Sequence, residues 1–309
     1  MRLITRADFD GLACGAILLE AGLVDSWKFV HPKDLQDGKI DVTSNDVLTN
    51  VPYVEGCGMW FDHHASQIQS LSEEKEIPGV RKLAPSCAEI VYEYYGGVGR
   101  FPHLEEMVKA ANKVDSADLT LDEIENPQGW VLLGFIMDPR TGLGRVKEFS
   151  KGNWELMEDM LHNCRDFDID ILLMLPDVAE RVEYYRKQSE LFTDMIKTHS
   201  WTQKDVVVTD LRGVNPIYTG NRFLLYSIFK EQNISIWVVD GFSGNCMIAV
   251  GHSILNRTST VDVGGTLAKH GGGGHTKVGT CQVPQDNVDS IVGDLVDFFN
   301  SHEHLASDE

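Results

Sequence analysis

The sequence predicts an α/β protein. It has an N-terminal domain on a mostly parallel, doubly wound sheet with a helical segment, and a smaller C-terminal α/β domain. Three observations point there. An apolar strand, "MRLIT", runs straight into the helical stretch "GLACGAILLEAGL". Further short apolar runs, "WKFVH", "DVLTNV" and "GMWF", recur at strand length with turn residues between them. Polar residues able to do chemistry gather where these runs end, which is where open α/β sheets form their sites.

From "SCAEIVYEYYGG" to about residue 200 the pattern turns helical. Its main segments are "FPHLEEMVKAANKVDSAD", "GRVKEFSKGNWELMEDMLHNC" and "AERVEYYRKQSELFTDMIKTH". The last is long, charged and amphipathic, and reads as a spacer between two lobes. After "HSWTQ", the strand-like runs "DVVVTDL", "ISIWVVDG" and "CMIAVGHSI" accompany the helical runs "NRFLLYSIFKEQ" and "VDSIVGDLVDFFNSH". The expected division is therefore 1–195, ending in the long helix, and 200–309.

The 309 residues are 42% hydrophobic and 24% charged, as in a globular protein. A net charge of −20 with no Lys/Arg cluster disfavours a long nucleic-acid duplex and favours a small anion in a pocket. Bound cations must then supply much of the attraction. Asp8 and Asp10 interrupt the opening apolar stretch, so it does not read as a signal peptide. No run of about 18 uncharged apolar residues is present, so no membrane span is expected. Six scattered cysteines without a C-x-x-C pair suit reduced thiols and a cytoplasmic location.

"ADFDG" sets Asp8 and Asp10 beyond the first strand. Two carboxylates one residue apart in a turn offer hard oxygen ligands to Mn²⁺ or Mg²⁺. The same pattern also serves as a helix N-cap and a turn aspartate with Gly11 as hinge. In "GMWFDHHAS", Asp62, His63 and His64 are adjacent, and three neighbours cannot share one regular face. They fit a strand tip opening into a loop, where side chains can converge. Imidazole with carboxylate and no thiolate suits manganese, iron or cobalt better than a structural zinc. Either histidine alone also reads as an ordinary loop residue. Asp115, closing the helical run "ANKVDSADLT", is a third carboxylate candidate, with Asp118 nearby as a helix cap. In "LAKHGGGGHTKVGTC", four glycines precede His275. Such a run either lets backbone N–H groups cradle an anion or is a loose surface loop. Arg257 can clamp phosphate oxygens, or stand as a plain surface arginine.

Taken together, "ADFDG", "FDHH" at 61–64 and "GGGGH" at 271–275 resemble the DHH phosphoesterases that carry a C-terminal DHHA1 domain. The likeness covers essentially the whole chain. It is strongest to the exopolyphosphatase-related subgroup, whose openings are similar to "RLITRADFDGL". The superfamily also holds nanoRNases that cleave pAp, cyclic-dinucleotide phosphodiesterases, RecJ exonucleases and manganese-dependent pyrophosphatases. The resemblance implies that 1–195 is the catalytic DHH domain and 200–309 the DHHA1 domain. Asp8 and Asp10 would hold separate metals, His63 would ligate one, and Asp115 would bridge or ligate both. His64, with Asp62 beside it, would touch the scissile phosphate or orient its neighbour. Arg257, Gly272, Gly273, Gly274 and His275 would receive the remote part of the substrate.

The chain departs from the family pattern at two places. Where many relatives carry a histidine four residues before the first aspartate stands Ile4, with Arg6 close by. Where a strand-end aspartate usually bridges the metals stands Asn50, with Asp46 and Asp41 as substitutes if the loop is arranged differently. The function implied is a phosphohydrolase with two Mn²⁺ ions, or Mg²⁺ or Co²⁺ in their place, activating water against short nucleotides such as pAp, oligoribonucleotides or dinucleotides. The alternatives are an exopolyphosphatase or pyrophosphatase, and a degenerate nucleotide-binding regulatory protein. A membrane partner is not expected. Apolar faces on the middle helices leave room for a homodimer.

Overall fold

Leu3 and Ile4, both with no exposure, anchor strand β1 (Arg2–Arg6) between two parallel neighbours. The computed structural model describes residues 1–64, 77–241 and 244–302, and forms two compact units. One comprises Met1–Leu119 with Asn126–Tyr185, the other Thr120–Glu125 with Arg186–Glu309. The division falls within the charged helix that the sequence marks as a spacer, Pro176–Thr198.

In the first unit, β1 pairs with β2 (Ser26–Val30) on one side and β3 (Asp46–Thr49) on the other, and β4 (Met59–Phe61) follows β3. All these pairings are parallel and the order is β2-β1-β3-β4. Successive connections leave β1 in opposite directions, so the crevice at the carboxyl ends of β1 and β3 is a topological switch point. Helix α1 (Phe9–Glu20) is buried from Phe9 to Leu18, which its almost uninterrupted apolar sequence requires. It packs against α2 (Cys87–Tyr94), α3 (Glu105–Ser116) and α5 (Asn153–Asp166), while α4 (Gly129–Met137) lies on α3. Gly11 lets α1 start this close to the strand. A Cβ there would sit 2.1 Å from the Arg6 carbonyl oxygen.

Hydroxyls pin β1 to β3 just below the crevice. Thr5 donates to the Thr49 carbonyl (3.0 Å) and Thr49 donates to Thr5 Oγ1 (2.9 Å), both buried. The opposite, amino end is closed by Arg2, whose Nε and Nη2 donate to the Asp46 carboxylate at 2.7 and 2.9 Å. Asp46 also accepts the Thr43 N–H. It therefore cannot replace a ligand at the carboxyl end. Asp41 is at the same amino end, its carbonyl accepting from Arg2 at 2.8 Å. The substitution open from the sequence is thus corrected: strand polarity puts both aspartates at the wrong end.

In the second unit the sheet order is β5-β6-β7-β8-β10-β9, covering Ser200–Gln203, Val206–Asp210, Ile234–Asp240, Asn245–His252, Val278–Pro284 and Gly273–His275. Only the β6–β7 pairing is parallel. Alternating buried residues of these strands pack with Val288, Leu295, Val296 and Phe299 of the amphipathic helix Val288–Asn300. The glycine run, open between cradle and loop in the sequence, becomes the edge strand β9. A Cβ at Gly272 would meet the Thr280 carbonyl oxygen at 2.2 Å, and Gly274 has φ 153°. Close packing on β10 explains these two glycines.

Candidate metal centre

Asp8 follows β1 and caps α1, its Oδ1 accepting the Gly11 N–H at 3.0 Å. Both readings of the D-x-D-G pattern meet here, because the cap is also at the switch point. Asn50 follows β3 in a left-handed conformation (φ 55°), and its Nδ2 donates to the same Asp8 oxygen at 3.0 Å. Arg6 Nε lies 3.0 Å from Asp8 Oδ2. Asp10, in the first turn of α1, is held from across the fold. The N–H groups of Cys87 and Ala88, in the first turn of α2, donate to its two oxygens at 3.0 and 2.7 Å. A helix N-terminus thus orients this carboxylate and favours its charge.

His63 leaves the tip of β4 with Nδ1 3.2 Å from the Ala84 carbonyl. A carbonyl only accepts, so Nδ1 carries the proton and Nε2 offers a lone pair. That Nε2 lies 3.3 Å from Asp115 Oδ2 and 3.8 Å from Asp10 Oδ2. Ligand atoms of Asp10, His63 and Asp115 all lie within 4.8 Å of one another. Asp115 arrives from the last turn of α3. Three chain segments therefore deliver two carboxylates and an imidazole lone pair to one point.

A second close group, Asp62, His63 and His64, has a different character. Asp62 is fully buried, and its Oδ1 accepts the N–H of His63 (2.8 Å), the N–H of His64 (3.1 Å) and Nδ1–H of His64 (2.7 Å). All three bonds go to Oδ1, through which Asp62 fixes the turn and the ring of His64.

Three buried acceptors at this end of the sheet have no hydrogen-bond partner: Asn50 Oδ1, Asp62 Oδ2 and His63 Nε2. Leaving such atoms unpaired costs about 1–3 kcal/mol each. Lone pairs without a donor, beside the converging atoms of Asp10, His63 and Asp115, are what a divalent cation satisfies, so the residues fit a metal. The electrostatics agree. Burial pushes the Asp10 carboxyl well above its ordinary value, and the charges of Asp115 and Asp8 push it further. Asp8 is raised too, chiefly by burial, with Arg6 opposing. The thiols beside Asp10 do not compete as ligands, since burial pushes Cys87 up to about 11.

Asp138 and Arg140, which sequence reasoning missed, line a small cavity with Asp8, Asp10 and Asp115. Asp138 is buried and grips Arg140 Nε with both carboxylate oxygens (2.8 and 3.1 Å), leaving the Nη groups of the fork for another acceptor. The available signal was "MDPR", an aspartate closing the apolar helix α4. Arg257 and residues 272–275 stand in the second unit. Arg257 Nε donates there to the Ile254 carbonyl at 2.8 Å.

A parallel sheet with carboxylates and imidazole at its switch point defines a metal-dependent phosphoesterase. The chain is 41% identical to the pGpG-specific phosphodiesterase PggH from Vibrio cholerae, over 98% of this chain and 99% of that one, with a TM-score of 0.85. It belongs to the DHH phosphoesterase family. RecJ from Thermus thermophilus in complex with Mn²⁺ shares the fold, with a TM-score of 0.54 at 11% identity over 99% of this chain and 53% of that one. So does an exonuclease RecJ bound to manganese, with a TM-score of 0.52 at 11% identity over 98% and 91%. No family model matches the chain, and no curated protein does. Among the described residues no helix is long and apolar enough to cross a membrane.

Proposed function

We propose that the chain cleaves the phosphodiester of a short linear nucleotide, a 5′-phosphorylated dinucleotide of the pGpG kind, using a divalent ion held by Asp10, His63 and Asp115. Mn²⁺ suits this mixed oxygen and imidazole set, with Mg²⁺ or Co²⁺ as alternatives. The observation that carries the reading is the convergence of these three side chains beside buried acceptors that have no donor. The 41% identity to a pGpG-specific enzyme over nearly the full length supports the substrate class. When bound, the ion supplies Lewis acidity to the phosphate and to the attacking water.

The chain's own residues do the rest. Asp62 holds His64 by Nδ1–H, so the ring can present its other nitrogen to a phosphate or leaving oxygen. Arg140 offers its Nη groups to non-bridging oxygens, a bidentate contact that Asp138 orients. Arg257 and the segment 272–275 remain candidates for the distal part of the nucleotide. Six free cysteines fit a reducing cytoplasm.

The test is hydrolysis by the purified full chain with Mn²⁺ of pGpG, pApA, pAp, a pentanucleotide and inorganic polyphosphate. Release of nucleoside monophosphates from the dinucleotides, with no orthophosphate from polyphosphate, is expected. Orthophosphate release with intact dinucleotides would replace this reading with an exopolyphosphatase. His63→Ala should weaken Mn²⁺ binding by more than the about 10–100-fold typical of losing an outer-shell partner, with an unchanged circular dichroism spectrum.

A further inference from the structure

The segment 84–88 holds two of the three converging ligands from behind. The Ala84 carbonyl takes Nδ1–H of His63 at 3.2 Å, and the N–H groups of Cys87 and Ala88 donate to Asp10 at 3.0 and 2.7 Å. Asp115, the third, stands in the last turn of α3, which ends at Ser116 before Ala117 in a left-handed conformation (φ 55°). Such a turn runs out of carbonyl partners and frays unless tertiary contacts tie it down. In the metal-free protein, Asp115 Oδ2 and His63 Nε2 also present lone pairs to each other at 3.3 Å. Something must hold α3 in place against that repulsion.

A polar bridge does so. Ser86, fully buried at the N-cap of α2, accepts the Glu89 N–H at 3.1 Å and donates its hydroxyl proton to Asn112 Oδ1 at 2.6 Å. Asn112 Nδ2 in turn donates to Glu89 Oε1 at 3.1 Å. The chemistry fixes the amide this way round, because a carboxylate only accepts and the Ser86 proton needs an acceptor. In a complete capping box, Glu89 would reach back to the Ser86 N–H. Here it turns to α3 instead. Asn112 precedes Asp115 by three residues, so the two side chains share a face of that helix.

We infer that the Ser86–Asn112–Glu89 bridge sets where Asp115 meets Asp10 and His63, with Ser86 and Asn112 as positioning residues for the divalent ion. The inference rests on the metal-dependent phosphoesterase reading above and adds to it side chains that touch neither ion nor substrate. Through the bridge, the segment that orients Asp10 and His63 also locates the helix that carries Asp115. Ligands placed in advance cost less to order when the ion binds. An amide at position 112 achieves this without charge. A lysine there would compete with the cation, and an aspartate would repel Glu89.

The experiment is Mn²⁺ binding to the chelator-stripped full chain, read by calorimetry and electron paramagnetic resonance. The proteins are wild type, Asn112→Ala, Ser86→Ala and the double variant Asn112→Asp/Glu89→Gln. Each alanine variant is expected to keep its circular dichroism spectrum, since alanine favours helix at 112. Each should bind Mn²⁺ about 10-fold more weakly, the lower end of the about 10–100-fold range for groups that orient metal ligands, with an altered manganese spectrum. The double variant exchanges donor and acceptor across the bridge at constant charge, and should return to wild-type affinity and spectrum. If Asn112→Ala does not fold, Ser86→Ala reads the same loss. A lowered unfolding temperature with unchanged affinity and spectrum in the alanine variants would overturn the inference, leaving only a tie between helices. So would a folded double variant as weak as Asn112→Ala. Affinity and spectrum are read without nucleotide, so failure here is distinct from failure of the phosphodiester reading, which the hydrolysis assay tests.

Discussion

At the scale of single residues, Asp10 shows how a binding site is held at the expense of stability. It is 2% exposed, oriented by two helix N–H groups, and surrounded by other carboxylates. In metal-free protein its proton is bound more tightly folded than unfolded. Its contribution to stability is therefore fully present below the unfolded value of about pH 3.9 and is lost as pH rises through the elevated folded value. The Asp10→Asn variant lacks this titration. As pH rises above about 4, metal-free wild type should lose stability relative to Asp10→Asn in thermal unfolding. Mn²⁺ at about 100 times its Kd should return about 2.7 kcal/mol to wild type and nothing to the variant. Parallel pH profiles for the two metal-free proteins would show that Asp10 is not a buried charge awaiting a cation.

At the scale of elements, the sheet separates structural from functional aspartates by strand polarity. Asp46 opens β3 and Asn50 follows its end, only four positions apart in sequence. Asp46 is driven upward by burial, but Arg2 and the Thr43 N–H and hydroxyl hold its carboxyl below the usual range. Its stabilising effect is present above the unfolded value of about 3.9 and lost as pH falls through the depressed folded value. Asp46→Ala should then lower stability by about 1–3 kcal/mol at pH 7, because Arg2 loses its partner. The deficit should fade in acid, and Mn²⁺ affinity should match wild type. A variant that folds but no longer binds Mn²⁺ would mean that the amino end of the sheet takes part in the site. The elements themselves were largely readable. β1 to β4 and α1 stand where apolar runs and turn residues put them, and the "FDHH" segment is at a strand tip as three adjacent polar residues demanded. The glycine run was not readable as a strand, because its reason is contact with β10, a neighbour that periodicity does not reveal.

At the scale of the whole molecule, a net charge of −20 sets how an anionic substrate arrives. Basic nucleic-acid-binding proteins lose affinity steeply as salt rises, because binding releases counterions. Here the long-range field repels, and salt screens it over a Debye length of about 10 Å at 0.1 M. The kcat/KM for a dinucleotide should hold or rise from about 20 to about 200 mM KCl, a range that shortens the screening length. A steep fall would reveal a local positive channel that outweighs the net charge. By itself the sequence determined the α/β class and the strand tips, and it marked Asp8, Asp10, His63 and Asp115 as candidate ligands, because these follow from local periodicity and side-chain chemistry. Only the tertiary structure decided that Asp10 is held by a helix starting 77 residues away, that Arg6 and Asn50 are bound to Asp8, and that Asp138 and Arg140 join the site. Such pairings depend on distances across the fold, and the order of residues along a chain carries no record of those distances.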